Sequence, residues 1–203
     1  MSGLLDGLLN ELGNDGTGEI ASRLGVEPSQ AQAALQGALP MILAAMANNA
    51  AGGGADALHN ALQQHAGPGS VQQQIRDVTQ NPAAMADGNA ILGHIFGARQ
   101  DTVAQGVSGI SGIDPGKAGA LLSMLAPLVM SYIGKHMTQN GMDSGQLSST
   151  LGRQANDLSG DGIVGGLINA VLGGGQQQPQ AGGLDVSDIL AAGSSILGAF
   201  NKR

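Results

Sequence analysis

Cysteine and tryptophan are absent from this 203-residue chain, and it carries one tyrosine and two phenylalanines. Without cysteine there can be no disulfide, no thiolate nucleophile and no sulfur-bound metal, although a disulfide-free chain suits any compartment. So few aromatics, and hardly any alternating β-branched run, leave little material for a β-sandwich. Charge is scarce as well: 11% of residues are charged, and the formal net charge is −7. A field of that sign repels phosphate backbones and anionic lipid, which argues against nucleic acid as a partner. The opening Met1-Ser-Gly-Leu-Leu-Asp6 lacks the basic segment of a secretory signal, so the expected location is cytoplasmic. The longest uncharged stretch lies between Lys117 and Lys135 and includes Pro127. It falls short of the roughly 20 apolar residues that a membrane-spanning helix requires, so an integral membrane protein is not expected.

What the chain does contain is 42% hydrophobic residues and 35 glycines. A core of Leu, Ile, Val, Met and Ala packed across small residues is helix-on-helix material, and the fold class read from it is all-α. Shifted by 87 residues without a gap, the chain matches itself. Pro28 and Pro40 fall on Pro115 and Pro127, and Gly25-Val-Glu27 on Gly112-Ile-Asp114. Leu4, Leu5, Leu8 and Leu9 fall on Ile91, Leu92, Ile95 and Phe96, so the apolar stripe of one helix is repeated. Each copy reads as three homeodomain-like helices. An amphipathic first helix is followed by a short one, spanning 18–24 in the first copy and ended by a left-handed glycine cap at Gly25. A long apolar helix then opens with Glu27 or Asp114 at the N-cap and a proline in its first turn. Pro40 and Pro127 lie inside those long helices, where proline should bend the axis.

The expected organisation is an internally duplicated bundle: repeat 1 over residues 1–48, a polar helical crossover over 49–87, and repeat 2 over 88–140. C-terminal helices over 141–173 and a Gly/Gln-rich linker over 174–183 come next. Helices are anticipated at 55–65 and 70–79 in the crossover, and near 144–157 and 162–172 beyond the second copy. A tethered amphipathic helix over 184–203 closes the chain, with Val186, Ile189, Leu190, Ile196, Leu197 and Phe200 on one apolar face. A face of that kind has to be buried somewhere, which makes these six the candidate interface.

No pattern of catalytic chemistry stands out. Ser111-Gly-Ile-Asp-Pro-Gly-Lys117-Ala118 lacks both the first glycine and the final hydroxyl of a phosphate-binding loop. His59 and His65 stand six apart, on different faces of a helix, and His94 and His136 are isolated, so no metal or cofactor is expected. Ser108 and Ser111 read as turn serines, and the carboxylates are scattered. Residues 17–32 have the cadence of a helix-turn-helix, but Gln30, Gln32 and Gln36 with Arg23 make a poor set for reading bases and holding phosphates.

Asp87-Gly-Asn-Ala-Ile-Leu-Gly-His-Ile-Phe-Gly97, Ser111-Gly-Ile-Asp114 and Leu121-Leu-Ser-Met-Leu-Ala-Pro-Leu-Val-Met130 resemble the bacterial family called domain of unknown function 937, similar to YidB-like proteins. The resemblance spans about Leu4 to Leu172. It implies an all-helical bacterial protein, a homeodomain-like arrangement as in the YidB relatives, and no established activity. It brings no site residues with it. The leading expectation is a non-enzymatic module that forms homo-oligomers or binds another protein through apolar helix faces. The alternatives are an acidic helix-turn-helix regulator and a membrane-surface protein using 184–200 and 2–12.

Overall fold

The computed structural model describes residues 3–67, 69, 71–159, 165, 166 and 168, and all regular structure among them is helical. The elements are α1 (Leu4–Leu24), α2 (Pro28–Asn49), a π-helical turn (Ala50–Gly54), α3 (Ala55–His65) and α4 (Val71–Gln80). Then come α5 (Pro82–Phe96), a 3-10 turn (Gly97–Arg99), α6 (Gln100–Ser111), α7 (Pro115–Gln139) and α8 (Ser144–Ser159). The chain divides into two units, Met1–Gly173 and Gly174–Arg203. The anticipated helix at 162–172 lies outside the described residues apart from Gly165, Gly166 and Ile168. The linker, the helix at 184–203 and all six candidate interface residues also lie outside them.

Local chemistry accounts for most of the boundaries. Leu4, Leu8 and Leu12 line the buried face of α1. The two helices expected in this stretch form one element broken at Gly13, whose φ of 59° and ψ of −174° belong to a region only glycine occupies cheaply. The end of α1 is a glycine cap: Gly25 sits at φ 60°, its N–H bonds Ser22 O at 3.3 Å, and Val26 N–H bonds Ala21 O at 3.1 Å. Gly112 ends α6 in the same left-handed conformation at φ 70°. Asp114 then caps α7 by accepting from Gly116 N–H at 2.8 Å, with Pro115 at the helix start. In the crossover, Asn81 accepts from Ala83 N–H at 3.0 Å and opens α5 at Pro82. The first helix of the second segment therefore starts six residues earlier than the expected boundary at 88, because an Asn-Pro cap lies upstream of the repeated stripe.

Two long helices make the centre. Every residue of α2 from Gly37 to Ala47 is buried, as are Leu121–Ala126 and Leu128–Met130 of α7. Helix α2 packs on α1, α6 and α8, while α7 packs on α3, α4, α5 and α6, and the two also touch each other. Both run through their prolines as unbroken helices. By length and composition α7 could cross a membrane, an 18-residue stretch of it having a mean hydropathy of 1.3, and 67% of that stretch is buried inside the bundle. A helix surrounded by other helices needs the same apolar composition.

Glycine sets how closely α7 is approached. Pro127 has no N–H to give to the Ser123 carbonyl one turn back. That oxygen faces Gly88 of α5, where an added Cβ would lie 1.8 Å from it. On the same helix, a Cβ at Gly134 would come within 2.3 Å of Leu62 O in α3. Backbone lies on backbone at both crossings, so any larger residue must push the helices apart.

Two further contacts are related to each other by the 87-residue shift. Lys117 Nζ donates to Gly25 O at 2.7 Å, and Gln30 Nε2 donates to Gly112 O at 3.5 Å. Residues 30 and 117 stand 87 apart, as do 25 and 112. Each long helix thus reaches the cap glycine of the other segment.

Candidate functional site

Helices α3 and α5 both lie against α7 yet hardly touch each other. The space left between them is a cleft of about 470 Å³. Met46 of α2 and Met130 of α7 contribute to its lining, with Leu58 and Ala61 from α3 and Ile91 and Ile95 from α5. Met46, Met130, Leu58 and Ile91 are buried, and Ala61 and Ile95 are half-buried.

The polar side chains of the lining are Asn49, Gln64, His65, Asp87 and His94. His65 is held at both ring nitrogens: Nδ1 is 2.9 Å from Ala61 O, and Nε2 is 3.4 Å from Asp87 Oδ2. The pair links α3 to α5, with Asp87 55% exposed and His65 27%. Asn49 Nδ2 donates to the His94 carbonyl at 3.3 Å and links α2 to α5. His94 and Gln64 are exposed. Asp87 is the one carboxylate in the lining, which contains no lysine or arginine. Among the described residues no group of three or more His, Asp and Glu side chains is placed to hold a metal ion.

On the α1 side of α7 the packing is closed. The Tyr132 hydroxyl lies over Gly7, 2.1 Å from where a Cβ would be, and Gln154 Oε1 accepts from Leu4 N–H at 3.1 Å. Burial, and secondarily the Glu11 carboxylate, raise the Tyr132 phenol above its ordinary pKa of 10.0.

Residues 6–136 match the model of a family described as bacterial protein of unknown function, DUF937. The chain belongs to that family. The match runs from α1 through most of α7 and includes every residue lining the cleft, while α8 and the residues after it lie beyond the match. No characterised protein and no solved structure matches the chain.

In this DUF937 protein, the sequence motifs take structural places. Ser108 Oγ donates to Ile113 O at 2.6 Å and Ser111 Oγ to Val107 O at 2.7 Å, so both are engaged with backbone. Lys117, in the loop-like run, reaches Gly25 rather than an open cavity. His59 faces Met142 O at 3.2 Å, and His65 finds Asp87 instead of its sequence neighbour. In the helix-turn-helix segment, Gln32 and Gln36 are exposed and Gln30 is bound to Gly112, but Leu39 to Leu43 are buried. The second helix of that segment is the centre of the bundle. Sequence reasoning missed the cleft altogether, since its lining is spread over 46–130 with no spacing that unites it.

Proposed function

We propose that this protein is a non-enzymatic module that associates with itself, or with a protein partner, through apolar helix faces. The observation that carries the reading is the apolar stripe Val186, Ile189, Leu190, Ile196, Leu197 and Phe200, set beyond a Gly/Gln-rich stretch in a unit of its own, Gly174–Arg203. A unit of that length is far below the roughly 40 residues at which a chain can form an unaided core, so the stripe needs another surface. Low charge and a mean hydropathy of +0.06 favour such contacts.

We also read residues 1–48 and 88–140 as copies of one segment. The 87-residue register, the paired left-handed caps at Gly25 and Gly112, and the reciprocal contacts of Gln30 and Lys117 support this. Residue i of one part meeting j of the other, with the converse also present, is the pattern of an isologous pair.

Light scattering over a wide concentration range, on the full chain and on a truncation ending at Gly175, tests the assembly. The expected outcome is oligomers from the full chain and monomers from the truncation. A full chain that stays monomeric at every concentration removes self-association and leaves a different protein as the only partner under this reading.

A further inference from the structure

The turn between α7 and α8 holds the one Asn-Gly pair of the chain, Asn140-Gly141. We propose that Asn140 is a site of self-modification. Its side-chain amide is lost to attack by the Gly141 nitrogen when the cap that ends α7 opens, and the product weakens the seat of α8.

The chemistry needs an asparagine followed by a residue whose own side chain does not shield its nitrogen, and glycine has none. The Gly141 nitrogen bonds to Asn140 Cγ, the Cγ–Nδ2 bond breaks, and Nδ2 leaves as ammonia, taking up the Gly141 proton. Water then opens the resulting succinimide at either carbonyl. One product is aspartate; the other is isoaspartate, in which the main chain runs through Cγ. Water is the only co-reactant. The other asparagines among the described residues lie inside helices or, at Asn81, precede Pro82, whose nitrogen carries no proton. Asn140 and Gly141 are both exposed, so water reaches them.

The fold controls when this happens. Gly141 N–H donates to Thr138 O at 3.3 Å and Met142 N–H to Met137 O at 3.0 Å, with Gly141 at φ 59°. These are the paired bonds of a left-handed helix cap. Asn140 Nδ2 donates to His136 O at 2.6 Å, so both reacting groups are engaged. Ring closure also requires Asn140 Cβ and the Gly141 nitrogen to eclipse about the Cα–C bond, and a ψ of 1° holds them apart. The reaction therefore waits for local opening of the helix end.

The product acts on α8. A carboxylate at position 140 loses the donor to His136 O and adds negative charge at the C-terminal end of α7. It also stands close in sequence to Asp143, whose Oδ1 caps α8 by accepting from Gln146 N–H at 2.7 Å. Isoaspartate adds a carbon to the main chain ahead of Gly141, and the cap bonds lose their register. Helix α8 is fed from this turn onto α2 and α3, with Leu147 and Leu151 buried.

The test is to hold the full chain in mildly alkaline buffer, folded and in urea, and to follow the tryptic peptide from His136 to Arg153, which contains no other asparagine. Asn140 is expected to convert ahead of every other asparagine, into both aspartate and isoaspartate. The folded chain should react at least about tenfold more slowly than the chain in urea, because the cap bonds must break first. Gly141→Ala should slow the reaction in urea, where strain in the folded cap plays no part. Folded protein that has reacted should exchange amide hydrogens faster in α8 than fresh protein, with Asn140→Asp showing part of that change. Earlier conversion of another asparagine, equal rates in the two conditions, or unchanged exchange in α8 would each overturn the assignment.

Discussion

Replacing Gly88 by alanine tests the account of the α5–α7 crossing. The new Cβ would stand 1.8 Å from Ser123 O and 2.8 Å from its carbonyl carbon, where real contacts begin near 3.0 Å. The obstacle is backbone, so no rotamer change relieves it, and α5 has to retreat by more than about 1 Å. Ile91, Leu92 and Phe96 of α5 are buried and move with it. A gap of that size forfeits about a quarter to a half of the dispersion well at each contact it opens. Overpacking of this kind costs about 1–3 kcal/mol, and this case belongs at the upper end. Alanine returns up to about 1 kcal/mol in helix propensity. The net expectation is a loss of about 2 kcal/mol, or a Tm lowered by roughly 4–8 °C for a bundle of this size. Gly119→Ala, one turn before Ser123 on α7, meets nothing within 4 Å and should gain up to about 1 kcal/mol. Urea and thermal melts of the two variants side by side provide the assay. A Gly88→Ala protein as stable as its parent would refute the argument that Gly88 is needed to seat α5 on the carbonyl freed by Pro127.

Local geometry sets three further outcomes. Because the folded Tyr132 phenol has its pKa raised by burial and by Glu11, its contribution to stability is complete below the unfolded value near 10.0 and is lost as pH rises through the folded value. Melts from pH 8 to 12 should show that alkaline loss in the parent and less of it in Tyr132→Phe; equal slopes would refute it. Asp114→Ala removes the acceptor for Gly116 N–H and should cost about 1 kcal/mol in a denaturant melt, with Asp114→Asn retaining most of the stability. Gly13→Ala places a Cβ in open space but on a backbone at φ 59° and ψ −174°, so it isolates conformational strain. A loss of about 1–3 kcal/mol is expected there, and a neutral result would show that the break in α1 relaxes to ordinary helix.

Membership of the DUF937 family brings no activity with it, and the family match stops within α7, before α8. The proposed assembly and the cleft occupy different parts of the chain, one beyond residue 173 and the other between 46 and 130.

The sequence alone determined the helical class and most helix ends. Alanine and leucine periodicity, Gly25 and Gly112 as left-handed caps, and proline after Glu27 and Asp114 act within about one turn, so they are legible wherever they occur. Helix α3 runs from Ala55 to His65, the bounds its residues had suggested. The start of α5 lies ahead of the boundary drawn at 88, because Ile91, Leu92, Ile95 and Phe96 fall inside a helix whose cap, Asn81-Pro82, stands in the crossover stretch. The break at Gly13 was legible only as one glycine among 35. Tertiary structure decided the rest: that Gly88 rests on the Ser123 carbonyl, that Tyr132 covers Gly7, and that α3 and α5 lie on α7 with a cleft between them. Those relations depend on how helices far apart in sequence pack against a shared neighbour. Side-chain volume and backbone approach set that packing, and neither leaves a periodic mark in the chain.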